Sequence, residues 1–159
     1  MPLNPGTPAP AFTLKTMTSD GLKDVSLSDN LGRKNTVLLF FPAAFTSVCT
    51  QEMCDISAGF GAFESLDAEV YGISVDSPFA QDAWAKANNI TIPLLSDYDR
   101  KVSTAYDVLL PDLVGLGPAA ARAAVVIDKQ GVVRYAEQTP TPLELPNFDA
   151  VKETLKNLS

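Results

Sequence analysis

Apolar residues along this chain follow two different periods. Thr36-Val-Leu-Leu-Phe-Phe41 and Val70-Tyr-Gly-Ile-Ser-Val75 are near-continuous apolar runs, the first closed by Pro42. Both read as strands buried on two faces. Between them Cys49, Met53, Ile56, Phe60 and Phe63 fall at spacings of 4, 3, 4 and 3, the period of an amphipathic helix. Ser77 and Pro78 supply an N-cap and a first-turn proline for a helix through Trp84 to about Asn88. Ile92-Pro-Leu-Leu95 is a short extended piece, after which Ser96 or Asp97 caps a helix towards Tyr106, and Leu109 to Pro118, holding Gly and Pro, is loop. Ala123–Ile127, the turn Asp128-Lys-Gln-Gly131 and Val132–Tyr135 make a β-hairpin. Phe148, Val151, Leu155 and Leu158 line one face of a closing helix. Ahead of these elements, Phe12–Lys15 and Val25–Leu27 form short edge strands around the turn Ser19-Asp-Gly21. The lead-in Met1–Pro10 has four prolines and is extended along the surface.

A parallel β-α-β pair followed by an antiparallel hairpin gives an α/β fold, a mixed central β-sheet flanked by helices, which is the layout of a thioredoxin-like fold. No repeat or internal linker interrupts it, so residues 1–159 read as a single domain. Composition then narrows the chemistry. A net charge of −7, from 19 acids and 12 bases, argues against nucleic acid and anionic membrane surfaces as partners, because both are bound through Lys and Arg. The chain has no His, which rules out a Ser-His-Asp hydrolase and a His-ligated zinc enzyme. Its 2 Cys cannot complete a zinc set, so a zinc site is not expected. The N-terminus lacks the basic and apolar regions of a signal peptide, and the longest uncharged stretch, Asn35 to Gln51, is broken by Pro42. The expected location is cytoplasmic, where a cysteine pair is more often redox-active than structural.

The chemistry concentrates in Phe41-Pro-Ala-Ala-Phe-Thr-Ser-Val-Cys49-Thr-Gln-Glu-Met-Cys54. Cys49 opens the helix after the first buried strand, where ligand sites of α/β sheets collect and where unpaired N–H groups favour a thiolate. Thr46 places a hydroxyl at the same turn. A plain core role for Cys49, beside Met53 and Ile56, is the alternative. Cys54 lies five residues on. On an intact helix the two Cα atoms are roughly 8.7 Å apart, beyond the reach of about 7 Å for a disulfide, so the pair can bond only if the turn unwinds. An idle thiol is the other reading of Cys54. Arg122 is the only charged residue from Leu113 to Ile127 and leads into an apolar strand. It must snorkel, face a site that wants a fixed charge, or pair, with Asp128 and Glu52 as candidate partners. The nine acids of residues 51 to 99 read as solvated helix faces.

These residues resemble a known family. Pro42-Ala-Ala-Phe-Thr46-Ser-Val-Cys49 matches the peroxiredoxin signature P-x-x-x-T/S-x-x-C, and Arg122, at the start of the strand into Asp128, is similar to that family's active-site arginine. Cys-x-x-x-x-Cys resembles the bacterioferritin-comigratory (Q-type) subgroup. Pro42-Ala-Ala-Phe-Thr46, Pro93-Leu-Leu-Ser-Asp97 and Arg134-Tyr-Ala-Glu137 resemble the one-cysteine, alkyl hydroperoxide reductase E-like subgroup.

The resemblance implies a thiol-dependent peroxidase acting on hydrogen peroxide and organic hydroperoxides, with no metal or organic cofactor. Cys49 would become a sulfenic acid, with Thr46 hydrogen-bonding thiolate and peroxide, Arg122 stabilising charge, Pro42 shielding the pocket and Glu52 orienting the arginine. Cys54 would resolve the sulfenic acid as an intramolecular disulfide, helped by Gly59 and Gly61 weakening the helix, and a thioredoxin-like dithiol would reduce it. Two alternatives stand beside this: a one-cysteine peroxidase recycled by external thiols, and a redox-sensing thioredoxin-like binding module. Monomer and homodimer both suit the sequence.

Overall fold

The computed structural model describes residues 2–158; the first residue of the lead-in, Met1, lies outside them. A hairpin of β1 (Thr13–Thr18) and β2 (Gly21–Ser26) is followed by β3 (Asn35–Phe40), α1 (Ser47–Ala58), α2 (Phe60–Glu64) and β4 (Ala68–Ser74). Next come α3 (Pro78–Asn88), β5 (Leu94–Ser96), α4 (Lys101–Ala105), β6 (Leu109–Leu110) and β7 (Ala119–Ala120). The chain closes with β8 (Ala123–Ile127), β9 (Val133–Gln138) and α5 (Phe148–Asn157). Seven strands form one sheet in the order β2-β1-β5-β4-β3-β8-β9, and β6 pairs with β7 separately. The three central strands β5, β4 and β3 are parallel, while β8 and β9 are antiparallel to their neighbours.

The continuous apolar run of β3 follows from its place in the middle of this sheet. Val37, Leu39 and Phe41 enter one core with Met53, Trp84, Val151 and Leu155, whereas Leu38 and Phe40 enter another with Phe12, Tyr106 and Val125. Alternate side chains point to opposite faces, so a strand covered on both must be apolar throughout. The lead-in runs along the sheet as expected: Gly6 N–H donates to Val133 O at 2.7 Å and Ala9 N–H to Gly131 O at 2.8 Å.

Four expectations are corrected. The helix carrying both cysteines stops at Ala58, because Gly59 ends it and a separate short turn of helix follows. β1 is an interior strand, flanked by β2 and β5, and only β2 lies at the edge. Asp97 does serve the helix after β5, its carboxylate accepting Val102 and Ser103 N–H at 3.0 and 2.7 Å, but the helix itself covers only Lys101–Ala105. The Leu109–Pro118 segment is not all loop. Leu109–Leu110 pairs with Ala119–Ala120, and the Asp112 carboxylate gathers the Gly115 and Gly117 N–H groups between them.

One sheet position packs directly behind the cysteine helix. A Cβ built on Gly72 of β4 would lie 2.7 Å from Leu94 Cδ2, 3.1 Å from Met53 Sδ and 3.3 Å from Phe41 Cε1. Gly72→Ala is therefore expected to destabilise the protein by about 1–3 kcal/mol through overpacking. Urea unfolding would measure this, and an unchanged midpoint would mean that α1 moves off the sheet at no cost.

Candidate active site

β3 runs into buried Phe41 and Pro42 at the carboxyl end of the parallel strands. The chain then turns sharply. Phe45 has φ +65°, a left-handed conformation for a bulky residue, and Thr46 returns to extended geometry as the N-cap of α1. The turn is pinned from just past the end of β4, where Asp76 Oδ2 accepts the Ala44 N–H at 2.8 Å and the Ser74 hydroxyl at 2.7 Å. Ser74 Oγ in turn accepts from Gln81 Nε2 at 2.9 Å, and Gln81 Nε2 also donates to Leu95 O. The ends of β4 and β5 thus fix the loop that leads into the helix.

Cys49 is the third residue of α1 and is buried, 1% exposed, among Val37, Phe41 and Trp84. Both readings of this cysteine therefore meet in one place, since it packs in the core and also has a polar partner. Arg122, between β7 and β8, donates from Nη2 to Cys49 Sγ at 2.9 Å, from Nη1 to Glu52 Oε1 at 2.8 Å, and from Nε to Pro142 O at 2.8 Å. Cys49 and Glu52 are three apart on one helix face, so a single planar guanidinium reaches both. The salt bridge is deeply buried, with side-chain exposures of 2% for Arg122 and 0% for Glu52. Burial pushes the Glu52 carboxyl from 4.5 up to about 7, outweighing the attraction of Arg122. Its Oε2 has no hydrogen-bond partner among the described residues, which adds to the cost of ionising it. Asp128, the other candidate partner for Arg122, pairs instead with Arg134 at 2.6 Å.

Of the residues singled out in the sequence, Cys49, Glu52 and Arg122 touch directly. Thr46 sits on the cap above them, but its hydroxyl donates to Ala43 O at 2.8 Å and not to sulfur. Pro42 opens the turn. Cys54 is half-buried on the same intact helix, its S–H directed at Asn88 O at 3.5 Å, and both cysteines are free. Sequence reasoning missed Asp76 and the Pro142 carbonyl. Asp76 had a signal: it follows the buried strand at the carboxyl end, and grouping it with solvated acids hid it. Pro142 contributes only its backbone, which no residue pattern marks.

Among the described residues, no three His, Cys, Asp or Glu side chains gather as a metal would require, and no helix is long and apolar enough to cross a membrane.

The frame is thioredoxin-like, and it is shared by solved structures that carry the names peroxiredoxin, peroxidoxin and thioredoxin peroxidase. Mycobacterium tuberculosis peroxidoxin BcpB superposes with a TM-score of 0.85 at 27% identity, covering 99% of each chain. Plasmodium yoelii thioredoxin peroxidase I gives a TM-score of 0.82 at 32% identity, over 98% of this chain and 90% of that one. Bovine peroxiredoxin-2 is 39% identical over 158 residues, 95% of this chain and 75% of its own length. The AhpC/TSA family model matches residues 5–136. The chain belongs to this family, the peroxiredoxins, and is a thiol peroxidase.

Proposed function

We propose that the protein reduces hydrogen peroxide and organic hydroperoxides through Cys49 and resolves the product through Cys54. The observation that carries this reading is the Arg122 fork, with Nη2 2.9 Å from Cys49 Sγ and Nη1 on Glu52. The Cys49 thiolate attacks one peroxide oxygen, the O–O bond breaks, and the leaving oxygen takes a proton to depart as water or an alcohol. Cys49 is left as a sulfenic acid. Arg122 offsets the negative charge, first on sulfur and then on the leaving oxygen, in a site too dry to screen it. Glu52 holds the guanidinium in place. Thr46 rotates its hydroxyl from Ala43 O to the peroxide, and Pro42 keeps water from the turn. Cys54 sulfur then attacks the Cys49 sulfur, the S–O bond breaks, and water leaves as the disulfide forms. A thioredoxin-type dithiol reduces it, a reading supported by the likeness to the Plasmodium yoelii thioredoxin peroxidase. The proposed location is cytoplasmic, and the protein acts as a monomer or homodimer.

A second reading has its own observation. Cys54 is engaged with Asn88 on an unbroken helix, as suits a one-cysteine peroxidase recycled by external thiols. Turnover separates the two. Cys49→Ser should consume no peroxide. Cys54→Ser should complete one turnover and then stall with thioredoxin as the only reductant. Full thioredoxin-driven turnover by Cys54→Ser would favour the second reading.

A further inference from the structure

α1 and α3 follow the parallel neighbours β3 and β4 and lie side by side in the same direction. Three side-chain hydrogen bonds join α1 in register to α3 and to the segment just beyond its end. Trp84 Nε1–H donates to Thr50 Oγ1 at 2.9 Å, the Cys54 S–H to Asn88 O at 3.5 Å, and the Thr91 N–H to Ser57 Oγ at 2.9 Å. Each bond spans 34 residues of sequence. Thr50, Cys54 and Ser57 stand at i, i+4 and i+7, so they share one face of α1, and their partners follow the same 4 and 3 spacing. On another side of the helix Gln51, Asp55 and Ala58 are exposed. The middle rung is the thiol that the proposed function assigns to resolution, and the outer two flank it.

We infer that these three rungs form a clasp that sets the rate of the second half-reaction, with Thr50 and Ser57 as positioning residues for it. The inference rests on the reading of Cys54 as the resolving thiol. In intact α1 the two cysteines are too far apart to bond, so the turn between them must open. Opening it takes Cys54 off the Asn88 carbonyl and draws the helix face away from α3 and the segment after it, which breaks the Thr50 and Ser57 bonds too. The first half-reaction needs the opposite condition, an intact helix holding Cys49 against Arg122. The clasp therefore keeps the oxidisable state dominant and delays resolution.

Thr50→Val tests this with little change in helix propensity, since Val and Thr are near equal. It leaves the Trp84 indole N–H without its acceptor in the intact state only. Disulfide formation after one equivalent of hydrogen peroxide, followed by rapid quench, alkylation and intact mass, should accelerate roughly three- to tenfold, the equivalent of one hydrogen bond. The rate of Cys49 oxidation should change less than about twofold, because the intact helix remains the major form. Thr50→Ser, which keeps the hydroxyl, should restore the wild-type resolution rate. Ser57→Ala, far from the sulfur, should act in the same direction although alanine favours the helix. Resolution rates unchanged or slowed in both Thr50→Val and Ser57→Ala, with a disulfide still forming in wild type, would overturn the clasp alone. No Cys49–Cys54 bond in wild type would overturn the resolution reading and the clasp with it.

Discussion

Arg122→Met is expected to slow the oxidation of Cys49 by hydrogen peroxide by roughly 10²–10³-fold while the protein stays folded. Arg122 is a cation in direct contact with Cys49 sulfur, at 2.9 Å, and it is 2% exposed, so water cannot replace it cheaply. Methionine fills much of the same space, which limits collapse of the pocket. The buried partner left behind would ordinarily be a severe liability. Glu52 escapes most of it, since burial already holds its carboxyl at about 7 and loss of the cation drives it further towards the neutral form. Arg122→Lys should fall in between. It keeps a charge but cannot hold Cys49, Glu52 and the Pro142 carbonyl in one plane. Stopped-flow measurement of the second-order rate constant, with thermal unfolding alongside, checks both halves. A loss below about tenfold in a folded Arg122→Met would mean that the helix terminus carries the catalysis without the guanidinium.

The second large effect is on stability as a function of pH. The Glu52 carboxyl titrates at about 7 in the folded protein against 4.5 when free. Between those values the folded state binds more protons than the unfolded one, so this group makes stability fall as pH rises through the window. At 1.36 kcal/mol for each tenfold difference, the interval from 4.5 to about 7 corresponds to a change on the order of 3 kcal/mol. Glu52→Gln removes the titration. Its unfolding free energy, measured in urea from pH 4.5 to 8, should lack that decline whatever its absolute level. Parallel wild-type and Glu52→Gln profiles would mean that Arg122 keeps Glu52 ionised throughout.

Much of this arrangement was legible from residue order. The buried strands β3 and β4 announce themselves because both faces are covered, and Ser77-Pro78 marks the start of α3 through local backbone chemistry alone. Arg122 stood out as a lone charge before an apolar strand. Its partner could have been settled on length: Arg122 and Asp128 bracket β8 at opposite ends, roughly 20 Å apart in extended chain. The break at Gly59 is half-visible, since Gly59 and Gly61 both weaken that helix, but the apolar period continues across it and favours a single helix. The β6–β7 pairing was not legible. It is held by backbone hydrogen bonds in a Gly- and Pro-rich stretch, with Asp112 gathering two amides, and no side-chain period records that. Asp76 was similarly hidden, because a run of acids does not reveal which one lies just past a strand end; Glu52 and Asp97 were legible, the first from its place beside Cys49 and the second from its place after an apolar strand. The orientation of the Thr46 hydroxyl towards Ala43 O depends on the left-handed Phe45, which no propensity favours.

The central claim, Cys49 attack followed by Cys54 resolution, is tested most directly by intact mass. Reduced protein is mixed with one equivalent of hydrogen peroxide and sampled from milliseconds to seconds, with Cys54→Ser run in parallel. The account predicts loss of two hydrogens in wild type and a persistent added oxygen in Cys54→Ser. An added oxygen that persists in both would remove Cys54 from the mechanism, and no rapid mass change in either would contradict the assignment of Cys49 as the peroxide-reducing thiol.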